Sequence, residues 1–162
     1  MVVETTDVRH PAPAHAAEPE TGSGAASETA SAVPAANPEI LGLVKDDSQV
    51  VRLESGQVLF AEGDTSNCMY VVKTGALRIR SGSVVYEDVG PGGIVGEMGL
   101  VEGHQPRSAM VYALADSELI AVDDARFFAL VAETPRFALM VMQVLSRRLR
   151  AMDRRYRPDP RL

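Results

Sequence analysis

One cysteine, three histidines and no tryptophan set the first limits on this chain of 162 residues. A lone thiol, Cys68, rules out an intramolecular disulfide framework, and a reducing compartment is its natural setting. His10 and His15 lie five apart in a polar segment, where such a pair reads as solvated side chains. His104 has no cysteine or second histidine beside it, so neither a metal centre nor an enzyme's nucleophile and base is expected. Nowhere do eighteen apolar residues run together, and the start, Met1-Val2-Val3-Glu4, lacks the basic and apolar regions of a secretory signal. No membrane span is expected, and the chain reads as cytoplasmic. Aromatic residues make up only 5% of it, so the core must be aliphatic.

What is present divides into three parts. Residues 1–38 are rich in Ala, Pro, Glu, Ser, Thr and Gly with hardly a large side chain, the composition of a disordered tail that works as a linker. Residues 39–157 carry the pattern of one domain, and 158–162 form a short end. Within the domain, Ile40 to Val44 suggest a brief leading helix. Segments rich in Val, Leu, Ile and Tyr then follow quickly: Gln49 to Leu53, Gln57 to Phe60, Cys68 to Lys73, Ala76 to Arg80, Val84 to Val89, Ala109 to Leu114 and Glu118 to Val122. Ser55-Gly56, Glu62-Gly63-Asp64, Thr74-Gly75, Ser81-Gly82-Ser83 and Gly90-Pro91-Gly92-Gly93 separate them as turns. Leu77 and Ile79 alternate with Arg78 and Arg80, as in a strand wetted on one face. Strands this short, with no room for crossover helices, predict an antiparallel sandwich or roll.

Helices end the pattern, so the fold class is mainly β with C-terminal helices. Asp123 is a plausible cap for a short helix bearing Phe127, Phe128, Leu130 and Val131. Thr134-Pro135 then opens a longer one, in which Phe137, Val141, Val144, Leu145, Leu149, Met152 and Tyr156 recur at helical spacing. Such a stripe must be covered by the roll or by the same helix of a second subunit. Charge is uneven: the chain as a whole carries −6, yet from residue 136 onward eight arginines face only Asp153 and Asp159. That basic end suits nucleic acid, a membrane or an acidic partner, or it simply balances the acidic roll of its own chain.

The chain is organised around Gly96-Glu97-Met98-Gly99-Leu100 and, after a loop, Pro106-Arg107-Ser108-Ala109. Gly96 can end an extended segment tightly and let Glu97 open a short helix whose free N–H groups seat a phosphate. Arg107 would return along a strand with a guanidinium that grips two phosphate oxygens, and Ser108 adds a hydroxyl. A carboxylate beside phosphate is tolerable if Glu97 faces a neutral sugar hydroxyl while Arg107 balances its charge. Donor fork, helix start and acceptor carboxylate together describe a site for a sugar phosphate.

At these residues the chain resembles the cyclic nucleotide-binding domains of catabolite activator proteins, cyclic-nucleotide-dependent kinases and cyclic-nucleotide-gated channels. Their phosphate-binding cassette reads roughly Gly-Glu-(Leu/Met)-(Ala/Gly)-Leu, a loop, then Arg-(Ser/Thr/Ala)-Ala. The stretches Leu59-Phe60-Ala61-Glu62-Gly63-Asp64 and Tyr70-Val71-Val72-Lys73-Thr74-Gly75 resemble the family's opening strands. The resemblance implies an antiparallel β-roll followed by a long helix, with ligand-binding residues Gly96, Glu97, Met98, Arg107, Ser108 and Ala109. It assigns Glu97 to the ribose 2′-hydroxyl, and Arg107 with Ser108 to the cyclic phosphate. It also favours a homodimer through the C-terminal helix. Activator-type relatives follow Arg-Arg-Leu in that helix with a polar Thr-Ser that contacts adenine, whereas here Arg147-Arg148-Leu149 leads to Arg150, Ala151, Met152 and Asp153. Met152 could pack flat on a purine, or serve as core, and Asp153 could accept from an exocyclic amine.

The resulting expectation is a stand-alone cyclic-nucleotide sensor, not an enzyme. Its ligand would be cyclic AMP, with cyclic GMP possible, and its output would pass through an effector protein. The sequence stops soon after Pro158, where activator-type proteins carry a helix-turn-helix, so no sequence-specific DNA binding is expected. A metal-dependent cupin would share an all-β roll but needs clustered histidines. The alternative is a dimerising adaptor that keeps the fold and binds ligand weakly or not at all.

Overall fold

The computed structural model describes residues 33, 35–44 and 49–156. The expectations for residues 1–32 and for 158–162 lie outside it. Helix α1, Pro38–Leu43, is set by Asn37, whose side chain accepts from the Glu39 N–H, and by proline in the first turn. Strands β1 (Val50–Leu53), β2 (Val58–Phe60), β3 (Cys68–Thr74), β4 (Leu77–Ser81), β5 (Val84–Val89) and β6 (Ile94–Val95) lead into α2 (Glu97–Val101). The chain continues through β7 (Met110–Ala113), β8 (Ser117–Asp123), α3 (Asp124–Glu133) and α4 (Arg136–Tyr156).

Two four-stranded antiparallel sheets form the roll, in the orders β1-β8-β3-β6 and β2-β7-β4-β5. Between them lie Leu53, Tyr70, Val72, Leu77, Val95 and Leu119. On the far side of the first sheet, Met69, Val71, Ile120 and Val122 pack against Ile40, Leu130 and Phe137 of the three outer helices. Strands β3 and β8 are thus covered on both faces, which is why their apolar residues run together instead of alternating. Strand β4 borders water and does alternate: Leu77 is buried, and Arg78 pairs across the hairpin with Asp88 at 2.7 Å. The two-residue strand β6 has no sequence signature of its own; pairing with Tyr70 and Val71 defines it.

Asp123 caps α3 as expected, its carboxylate accepting from the Arg126 N–H at 2.8 Å. Helix α4 begins at Arg136, one residue past the proline. Residues 35–37, assigned above to the N-terminal segment, lie against the turn before β6. Ala36 donates to the Pro91 carbonyl at 2.8 Å, and a Cβ on Gly92 would stand 2.1 Å from the Asn37 oxygen. Among the described residues no single helix is long and apolar enough to cross a membrane.

The apolar stripe of α4 divides in a way that spacing alone did not resolve. Phe137, Met140, Val141 and Val144 are buried in this chain's own core, with Leu145 packed beside them. Leu139, Met142 and Leu149 point outward, 55%, 51% and 68% exposed. Of the two covers expected for the stripe, the roll thus takes Phe137, Val141, Val144 and Leu145, while Leu149 stands outside it with Leu139 and Met142 on a separate exposed face; the side chain of Tyr156 lies outside the described residues.

Candidate functional site: a charged cleft between the roll and the last helix

Gly96 ends β6 with φ +77° and serves as the N-cap of α2. The left-handed angle favours glycine, and so does space: a Cβ there would lie 2.4 Å from Arg107 Nη1. Helix α2 has only five residues, so its macrodipole is small. More of the pull on an anion falls to Arg107 than the sequence argument assumed. Gly99 lets the helix sit on Ser66, whose Oγ would be 1.8 Å from a Cβ at that position. The loop after α2 is held by His104, which pairs with Asp124 at 2.6 Å and bonds the Ser66 carbonyl at 3.0 Å.

Glu97 and Arg107 are both buried, 1% and 5% exposed, but they do not balance each other. The Arg107 guanidinium donates to the carbonyls of Gly96 (2.9 Å) and Cys68 (2.7 Å) and lies over the Phe60 ring. The charge of Glu97 is met instead by Arg148 of α4, which donates to Glu97, to Glu87 of β5 at 2.7 Å and to the Ile94 carbonyl at 2.7 Å. Burial by itself would lower the Arg148 pKa, yet Glu97 and Glu87 together raise it above the ordinary guanidinium value. The assignment of Arg107 as counter-charge is thereby corrected. Arg147 also faces Glu87, at 3.6 Å, and Arg155 donates to the Val85 and Tyr86 carbonyls at 2.8 and 3.1 Å. Two arginines of the basic helix, Arg147 and Arg148, thus balance carboxylates of the chain's own roll.

These groups enclose a cleft of about 400 Å³, within the usual range for small ligands. Gly96, Glu97, Met98, Arg107, Ser108, Ala109 and Met152 all line it. Asp153 does not; it lies on the outer side of α4, along the groove that Leu139 and Met142 also line but further up the helix. Sequence reasoning missed Phe60, Glu87, Arg148 and Arg155. For Arg148 a signal existed in the Arg-Arg-Leu segment and the excess of positive charge, but nothing local pointed to a carboxylate 51 positions away. Ile79 and Val111 give the cleft an apolar wall, and its four arginines outnumber its two glutamates. Among the described residues no group of acidic, histidine or cysteine side chains could hold a metal.

The site thus joins an acceptor carboxylate, a guanidinium with no acidic partner among the described residues and an apolar wall, set on a β-roll closed by a helix. The family model for the cyclic nucleotide-binding domain matches residues 50–134, and the chain belongs to that family. The cyclic AMP receptor protein of Thermus thermophilus is 32% identical over 60% of this chain and 47% of its own length. The crystal structure of the Thermus thermophilus catabolite activator protein superposes with a TM-score of 0.62 at 31% identity, over 72% of this chain and 57% of that one. The EAL enzyme Bd1971 was solved in cyclic AMP-bound and cyclic GMP-bound forms, with TM-scores of 0.50 and 0.51 at 31% and 32% identity. Those matches cover 64% and 65% of this chain and 29% of each Bd1971 chain. Lysophospholipase NTE1 of Chaetomium globosum is 30% identical over 63% of this chain, a match that spans only 7% of that protein. The chain thus spans less than two thirds of the length of these relatives.

Removing Arg148 strands a buried carboxylate. Arg148→Met should cost about 3–5 kcal/mol in urea unfolding, and adding Glu97→Gln should recover much of the loss. Additive losses would mean that the two side chains are energetically independent.

Proposed function

We propose that the cleft binds a cyclic nucleotide, cyclic AMP first and cyclic GMP second, and that the chain is a regulatory module and not an enzyme. Glu97 accepts from the ribose 2′-hydroxyl, Arg107 and Ser108 take the cyclic phosphate, and Met152 packs on the purine. The observation that carries this reading is Arg107: 5% exposed, it donates to the carbonyls of Gly96 and Cys68 and, at 4.0 Å, to the Cys68 sulfur, and to no carboxylate among the described residues, so its positive charge stays available to an anion. Relatives solved or named with cyclic nucleotides support the ligand class. The bound state is read by an effector protein through α4, which roofs the cleft.

A second reading draws on the same geometry. Glu97 is already occupied by Arg148 and Arg107 by two carbonyls, as suits an adaptor with weak or no ligand binding. Calorimetry with cyclic AMP and cyclic GMP in parallel separates the two. Binding of either supports the sensor, and Arg107→Lys, which keeps the charge but loses the fork, should then weaken it about ten- to a hundred-fold. Heat-silent titrations with both nucleotides would favour the adaptor. Replacing cyclic AMP with its 2′-deoxy analogue should weaken binding, and Glu97→Gln should add little to that loss, because both changes remove one contact.

The outward residues of α4 form the proposed homodimer face, since Leu139, Met142 and Leu149 repeat at three- and seven-residue spacing. Light scattering should give twice the monomer mass, and Leu149→Asp should halve it while the chain stays folded. Val144→Asp, which faces the core, should unfold the chain instead. A wild-type monomer at high micromolar concentration would sink the dimer.

A further inference from the structure

Arg107 is held in an unusual way for a buried cation. Its Cζ stands 4.2 Å from the centroid of the Phe60 ring and 5.9 Å from that of Tyr70, and those two rings are stacked 6.2 Å apart at 29°. Its Nε is buried with no hydrogen-bond partner. Tyr70 is kept neutral, since burial, and then the neighbouring Cys68, push its hydroxyl well above the ordinary pKa. Phe60 reaches this position through a register shift: Val58 pairs with Tyr112, but Phe60 pairs with Val111, so the strand is locally re-aimed. The ring also lines the cleft.

We propose that Phe60 is a positioning residue for anion recognition, its ring face holding the Arg107 guanidinium in place without neutralising it. The proposal rests on the reading of the cleft as a cyclic-nucleotide site. A carboxylate in the same place would hold the arginine equally well but would compete with a phosphate for its charge. An aromatic face attracts the cation through its quadrupole and leaves the full charge for the ligand. Two carbonyl acceptors fix the guanidinium edge, and the ring fixes its plane.

The test uses Phe60→Leu, which keeps an apolar side chain but has no π-face, and Phe60→Tyr, which restores one. Phe60→Leu should weaken cyclic AMP about 3- to 30-fold and Phe60→Tyr should return most of the affinity. In an Arg107→Gln background, Phe60→Leu should cost no more than about twofold, because the cation it served is gone. An equal loss in both backgrounds would overturn the proposal and make Phe60 a direct contact of the purine. A second readout needs no ligand: the Arg107 Nε–Hε NMR signal should carry an upfield ring-current shift that disappears in Phe60→Leu and persists in Phe60→Tyr. An unchanged signal in Phe60→Leu would also overturn it. If the wild type binds neither nucleotide, the reading of the cleft fails, and the NMR signal still decides whether Phe60 holds Arg107.

Discussion

The ion pair between Glu97 and Arg148 is the interaction on which the rest of the structure depends. A carboxylate that is 1% exposed is tolerable only with a strong partner, and that partner comes from α4, the last helix in the described chain. Pairing the two draws α4 across the mouth of the roll, where Arg148 also meets Glu87 and Arg155, two turns on, reaches the β5 carbonyls. The docked helix therefore closes one side of the cleft with Arg147, Arg148, Ala151, Met152 and Arg155. A chain with an alanine at position 97 would have less reason to hold its helix there, and a cleft without that helix would be an open dish.

This arrangement links site and helix physically. Any ligand that engages Glu97 must share it with Arg148, because one carboxylate oxygen is already committed. Under the proposed function, occupancy of the cleft and the seating of α4 would be coupled through this one side chain, giving a route from a bound small molecule to the outer face that carries Leu139, Met142 and Leu149. Arg107 is different. Its partners are two backbone carbonyls, the Cys68 sulfur and the Phe60 and Tyr70 rings, none of them on α4, so it is set independently of that helix.

Much of this was legible in the sequence where one local signal determined one outcome. The Gly96-Glu97 cassette, the Asp123 cap and the alternation of β4 each needed only near neighbours. Strand β6 was invisible because two residues cannot show a period; its pairing with β3 makes it a strand. The counter-charge of Glu97 was misassigned because ten residues separate Arg107 from Glu97 in the chain, while the true partner arrives from the far end of the fold. The cover of the α4 stripe stays open in the sequence between the roll and a second subunit, because helical spacing gives the width of an apolar band but not which edge of it the roll covers. Phe60 looked like one more apolar strand residue, since nothing before the tertiary structure sets a ring over a guanidinium.

The most direct test of the account is an amide NMR titration of the full chain with cyclic AMP. If the nucleotide sits between the cassette and the docked helix, the largest shifts should fall on Gly96 to Gly99, on Arg107 to Ala109 and on α4 around Arg148, all saturating with one binding curve. Shifts confined to the outer face of α4, or none with excess nucleotide, would contradict it.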